Sequence, residues 1–170
     1  MARADLDVHF GRIETMVGEI EAFVPNNSVN ATAFRADLAG LLVVSIAASY
    51  ESCVKDILVT YAAKHHSAFE RFTINNYRKI NSRISVSDLH SYASLFDDQV
   101  SVKFKRILSK RKEKISQKVR SNIESSYTQI LNWRHAFAHA GIRNTTIEEA
   151  VRTHRLAKRV LYSFDEAFNC

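Results

Sequence analysis

Residues that break regular structure are scarce in this sequence, which holds one proline and four glycines in 170 residues. β folds need frequent Gly- and Pro-bearing turns, so the scarcity excludes most of them and predicts long helices with few connections. Cysteine is nearly absent too. Cys53 lies in an apolar run and Cys170 is the last residue, which excludes a disulfide framework and makes a reduced, cytoplasmic compartment the expectation. The N-terminal MARADLDVHF lacks the apolar stretch of a secretory signal. The longest apolar run, LAGLLVVSIAASY, is too short and too Ser-rich to span a bilayer, so no membrane is expected. Internal repeats, low-complexity tracts and domain linkers are missing, and one helical domain over 1–170 is predicted.

What is present begins with charge. Hydrophobic residues at 46% and charged residues at 25% are ordinary for a soluble globular protein, but the formal charge of +6 is unevenly placed. Residues 103–120, KFKRILSKRKEKISQKVR, hold nine Lys and Arg against one Glu. The rest of the chain carries 15 against 17 acids. Lys103, Lys105, Arg106, Lys110, Arg111, Lys112, Lys114, Lys118 and Arg120 are therefore candidate nucleic-acid contacts, because such a cluster attracts phosphates and speeds encounter with nucleic acid. The alternative for the same segment is a solvated helix face.

Hydrophobic spacing predicts the helices. Leu6, Phe10, Ile13, Val17 and Ile20 set a first helix over 3–23. PNNSVNAT (25–32) is a loop in which Asn30 or Thr32 can cap the next helix. That long second helix, over 33–65, has an apolar stripe of Phe34, Leu38, Leu42, Ile46, Cys53, Ile57 and Tyr61. Glu51 and Lys55 share another face with Gly40, Val44, Ala47, Leu58 and Ala62, small enough for close approach by another helix. A short helix around Ala68–Phe72 precedes a polar connection through Asn75, Asn76, Asn81 and Ser82. His65 and His66 read as a solvated pair at a helix C-terminus, favoured by the dipole. SVSD (85–88) starts another helix with Ser85 or Ser87 as cap, and the basic segment comes next with a break near Ser109. A helix over about 113–140 ends at Gly141, and Thr145 with Glu148, or Thr146 with Glu149, boxes the start of the last helix, which runs to about Phe168. The expected fold is all-α: an antiparallel four-helix-bundle core with additional short helices.

One stretch carries chemistry. In NWRHAFAHAG (132–141), a wheel with Arg134 at zero puts His135 at about 100° and His139 at about 140°. Ile130, Trp133, Phe137 and Ala140 gather on the opposite side, between about 240° and 320°. One face thus meets the bundle and the other presents Arg, His and His. Arg offers a fixed fork of donors to a phosphate and keeps its charge. His titrates near neutral pH, so it can take a proton from a ribose hydroxyl or give one to a leaving oxygen. His135 and His139 also have the i,i+4 spacing of a zinc pair, without a third ligand nearby in sequence.

Arg134-His135-Ala-Phe-Ala-His139 resembles the motif of the HEPN superfamily of helical nucleases: Arg, a polar residue, three to five further residues, then His. His at the second position is permitted there but less common than Asn. Tyr50-Glu51…Lys55 on the long second helix is similar to the E-x3-K element of some branches, and the helical layout is closest to the RiboL-PSP-HEPN branch. Arg3 to His9 and Arg83 to His90 fit only the loose spacing, having Ala4 and Ile84 at the second position. The resemblance implies a cofactor-free, metal-independent endoribonuclease that works as a homodimer and leaves a 2′,3′-cyclic phosphate. It implies that Arg134 holds the scissile phosphate, His139 is the general acid/base, and His135 orients the pair or binds substrate. Glu51 and Lys55 then act as a charge relay or a second phosphate contact. Toxin or phage-defence roles, with an antitoxin or defence ATPase as partner, are common in that superfamily. The alternative is a non-catalytic helical module that binds RNA or protein.

Overall fold

The structure is a computed structural model that describes residues 3–25, 31–80 and 83–169. It is all-α, and its described residues form seven helices: α1 (Arg3–Phe23), α2 (Thr32–His65), α3 (Ser67–Tyr77), α4 (Val86–Phe96), α5 (Asp98–Val119), α6 (Ile123–Ala140) and α7 (Ile147–Asn169). α2 and α7 organise the rest. α2 packs against α1, α3, α6 and α7, and α7 against α1, α2, α5 and α6. By length and composition α2 could cross a membrane, but here its apolar side is core, from Ala39 and Leu42 through Ile46, Tyr50 and Val54 to Leu58.

The ends of the helices follow side-chain chemistry. Ser85 caps α4 through a reciprocal capping box with Asp88. Thr146 accepts from the Glu149 N–H at the start of α7. Asn30 and Cys170 lie outside the described residues. At the start of α2 the cap position is Ala31, with no side-chain cap bond, and Thr32 is already inside the helix. Phe34, expected in the apolar stripe, is 55% exposed. Its neighbour Arg35 turns inward instead, held by Glu21, Glu148 and the Val24 carbonyl.

Three other boundaries move. α3 runs past Asn75 and Asn76 to Tyr77, because Thr73 is buried and Tyr77 packs on Tyr92 and Phe96. Packing outweighs the weak helix propensity of Asn. Asn81 and Ser82 lie outside the described residues. His65 and His66 do end α2 and are exposed, but His66 has a second role: its ring Nδ1 caps α3 by accepting from the Ala68 N–H at 3.1 Å. The basic segment has no break at Ser109. α5 is continuous, and the helix expected over 113–140 is instead divided at Arg120, whose φ of 50° is left-handed. Asn122 then caps α6, accepting from the N–H groups of Glu124 and Ser125.

Beneath α2, α6 and α7 lies a buried aromatic cluster. Tyr50 and Tyr127 stack at 5.1 Å. The Tyr127 hydroxyl donates to the Ile84 carbonyl at 2.8 Å. The Tyr50 hydroxyl bonds Nδ1 of His154 at 2.9 Å. Burial, with Lys158 and Arg155 nearby, pushes the His154 imidazole down to about 3, so it is neutral. The cluster holds the middle of α2 against α6, where the sequence motifs meet.

Candidate active site

α6 reaches the site by a close approach. Gly40 on α2 faces Phe137 so tightly that a Cβ at Gly40 would collide with ring carbons of Phe137. The small face expected on α2 is thus where another helix docks. Trp133 and Ile130 are buried on the same side of α6. With that face anchored, the opposite one turns outward as the wheel requires.

The helix ends at Ala140, one residue after His139. Gly141 has a φ of 61°, its N–H donates to the Phe137 carbonyl at 2.9 Å, and the Ile142 N–H to the Ala136 carbonyl at 3.3 Å. Glycine closes the helix there because it meets no Cβ penalty in the left-handed region. Past the turn, Arg143 grips both carboxylate oxygens of Asp37 on α2, at 2.5 and 3.0 Å. Sequence spacing offers no signal for that pair, 106 residues apart.

The structure brings together parts of the two motifs. Glu51, Arg134 and His135 line one pocket of about 240 Å³, with Ala47, Ile84, Leu131 and Asn132. Arg134 is half-buried, while His135 and His139 are exposed. The two imidazoles lie against each other, 4.5 Å between centroids. His139 does not line the pocket, and neither does Lys55. No ion pair joins Glu51 to Lys55, although their spacing permits one; the ion pairs among the described residues lie elsewhere. Among the described residues no group of three or more His, Cys, Asp or Glu forms around the two histidines. Asn132, Ile84, Ala47 and Leu131 were not foreseen as site residues. Only Asn132 had a sequence signal, its place at the head of the motif.

The basic helix forms a separate surface. Arg106, Lys110, Arg111 and Lys114, with Glu166, line a cleft of about 490 Å³. Arg111 and Lys112 are tied to acids on other helices. Arg111 bonds Glu166 at 2.5 Å and Ser163 at 3.0 Å on α7, and Lys112 pairs with Glu124 at 3.1 Å. Lys105, Arg106, Lys110, Lys114, Lys118 and Arg120 are exposed, and Lys103 is half-buried. Glu166 lies 19 residues along α7 from Ile147, about 28 Å at helical rise. The cleft is thus far along α7 from the α6–α7 turn that follows His139. The secondary Arg-to-His spacings fall apart: His9 pairs with Asp56 at 2.8 Å, and His90 packs on Phe104.

Comparison with known proteins adds one identification. No curated protein and no solved structure matches the chain. The family described as RiboL-PSP-HEPN matches residues 16–169, a span that includes Glu51, the basic helix and the Arg134–His139 motif. The chain belongs to the RiboL-PSP-HEPN family of HEPN-type helical domains.

Proposed function

We propose that the protein is a metal-independent endoribonuclease acting as a homodimer. The observation that carries this is the opening of Arg134 and His135 onto one pocket beside an exposed His139 at the end of the same helix. In the reaction the ribose 2′-oxygen attacks the adjacent phosphorus and the bond to the 5′-oxygen breaks. An imidazole takes the 2′-hydroxyl proton, and another gives a proton to the leaving 5′-oxygen. The products are a 2′,3′-cyclic phosphate and a 5′-hydroxyl. Arg134 holds the phosphate and offsets the charge that builds on its oxygens.

His139 stands outside the pocket of its own protomer. A second copy, facing the first, would supply an imidazole to the far side of the phosphate and complete the acid–base pair. Lys55 is a second cation along α2, and the α5 cleft is a distal contact for the RNA backbone. A cytoplasmic toxin or phage-defence effector, controlled by an antitoxin or defence ATPase, is the biological role that suits a small RNase of this kind.

Purified protein incubated with RNA and EDTA should yield fragments ending in 2′,3′-cyclic phosphate. Arg134→Ala and His139→Ala should each lower their yield by at least about 10²-fold. Wild type without cleavage, or variants with full cleavage, rejects the enzyme. Salt-dependent RNA binding through α5 without cleavage would instead mark a binding module.

A further inference from the structure

Glu51 is an unexpected neighbour for a phosphate. Its carboxylate repels one, yet it shares the pocket with Arg134 and His135. It is half-buried, and among the described residues it forms no ion pair. A partly desolvated carboxylate with no cation of its own has acceptor capacity left for a ligand. The rest of the pocket divides in two. Ala47 and Ile84 are buried apolar side chains, and Leu131 packs against the core beside them. Asn132, Arg134 and His135 add N–H donors around them. At about 240 Å³ the pocket is smaller than the ~300 Å³ at which small-molecule sites usually begin. It suits one planar ring system better than a whole nucleotide.

We propose that this pocket is a guanine subsite beside the scissile phosphate, with Glu51 as the group that reads the base. This rests on the ribonuclease reading of the same pocket. An ionised carboxylate only accepts, through two oxygens side by side. Guanine alone among the four RNA bases presents two adjacent donors, N1–H and the N2 amino group, to match them. Cytosine and adenine offer one amino group beside an acceptor nitrogen. Uracil offers one N–H between two carbonyls. In each of these the second carboxylate oxygen meets a lone pair. Guanine's O6 remains for an N–H of Asn132 or His135, and the apolar side chains cover the ring face. Unpaired bases are read in this way in single-stranded RNA, by edge hydrogen bonds together with contact on the ring. The pocket then selects an unpaired guanine next to the cleaved bond, and Arg134 at its rim holds the phosphate on the 3′ side of that nucleoside.

The test uses 2′-O-methyl oligonucleotides, which bind but cannot be cleaved. Each carries a single guanine, inosine, adenine or cytosine in a uridine run. Inosine keeps N1–H and O6 and lacks only the N2 amino group. Wild type should bind the guanine oligonucleotide about tenfold more tightly than the inosine one, the scale of one well-placed bidentate contact. Glu51→Gln and Glu51→Ala should bring the two together. A Glu51 that merely supported the fold would weaken all four probes alike. Equal binding of guanine and inosine by wild type, no binding at all, or a guanine preference that survives Glu51→Ala overturns the inference. Discrimination by wild type that cleaves no RNA in EDTA would reject the ribonuclease and keep the guanine pocket.

Discussion

The end of α6 and the length of α5 are both cationic, but their charge is used differently. On α6, one arginine and two histidines within six residues turn to one side of a helix whose other side is fixed by Trp133 and Phe137. On α5 and its C-cap Arg120, nine cations are spread over 18 residues, and the structure divides them. Arg111 and Lys112 are tied to Glu166 and Glu124, while Arg106, Lys110 and Lys114 line a cleft with no ion pair among the described residues. A compact motif on an anchored helix positions groups for chemistry. A charge stripe on a helix mainly sets affinity, and part of it serves the fold.

The largest effect should come from the α6 side. Arg134→Ala or His139→Ala should lower cleavage by about 10²–10⁴-fold, the usual scale for a lost acid–base or charge-stabilising group, and thermal unfolding should be unchanged in His139→Ala, whose side chain is exposed. Changing Arg106, Lys110 and Lys114 together to Glu should weaken RNA binding uniformly across sequences. The dependence of log affinity on log salt should become shallower by about 2, as expected for three lost single-strand contacts. Cleavage of a short oligonucleotide that cannot reach α5 should be spared. Equal losses from both sets of variants would erase the distinction between the two regions.

Smaller effects sharpen it. Gly40→Ala should destabilise the protein by about 1–3 kcal/mol, the range for overpacking a close contact, and displace Phe137 with the last turn of α6; denaturant melts and cleavage rates should fall together. His154 gives the fold its own acid limb. Its imidazole is neutral in the folded chain, pushed down to about 3, and protonates near 6.5 when unfolded. The unfolded state therefore binds more protons between those values, so stability should be full above pH 6.5 and decline as pH falls toward 3. His154→Gln should flatten that decline in a pH series of melts. Smallest of all, Arg111→Gln should cost about 1 kcal/mol, since its ion pair is partly exposed. Lys110→Gln should leave stability unchanged and reduce RNA affinity alone.

Much of this was legible locally. The α1 span, the Ser85 cap, the Gly141 stop and the Thr146 start are readable because each depends on residues within four positions of one another. The Arg/His face of α6 is readable for the same reason. Arg120 was hidden because Lys, Arg and Glu on both sides are good helix formers and the apolar spacing of Ile115, Val119 and Ile123 continues across it. Asn122, which caps α6 with its side chain, was the overlooked signal. The extension of α3 was hidden because Thr73 and Tyr77 gain their burial from other helices.

The sequence by itself determined the helical class, the outward Arg134, His135 and His139, and the basic excess between 103 and 120, since periodicity and composition are local properties. Only the tertiary structure decided that Glu51 shares a pocket with Arg134 while Lys55 does not, and that Arg111 and Lys112 serve the fold. Those outcomes depend on how closely two helices approach and at what rotation. Here a glycine under an aromatic ring sets the approach of α6 to α2, a contact between residues 97 positions apart in the chain.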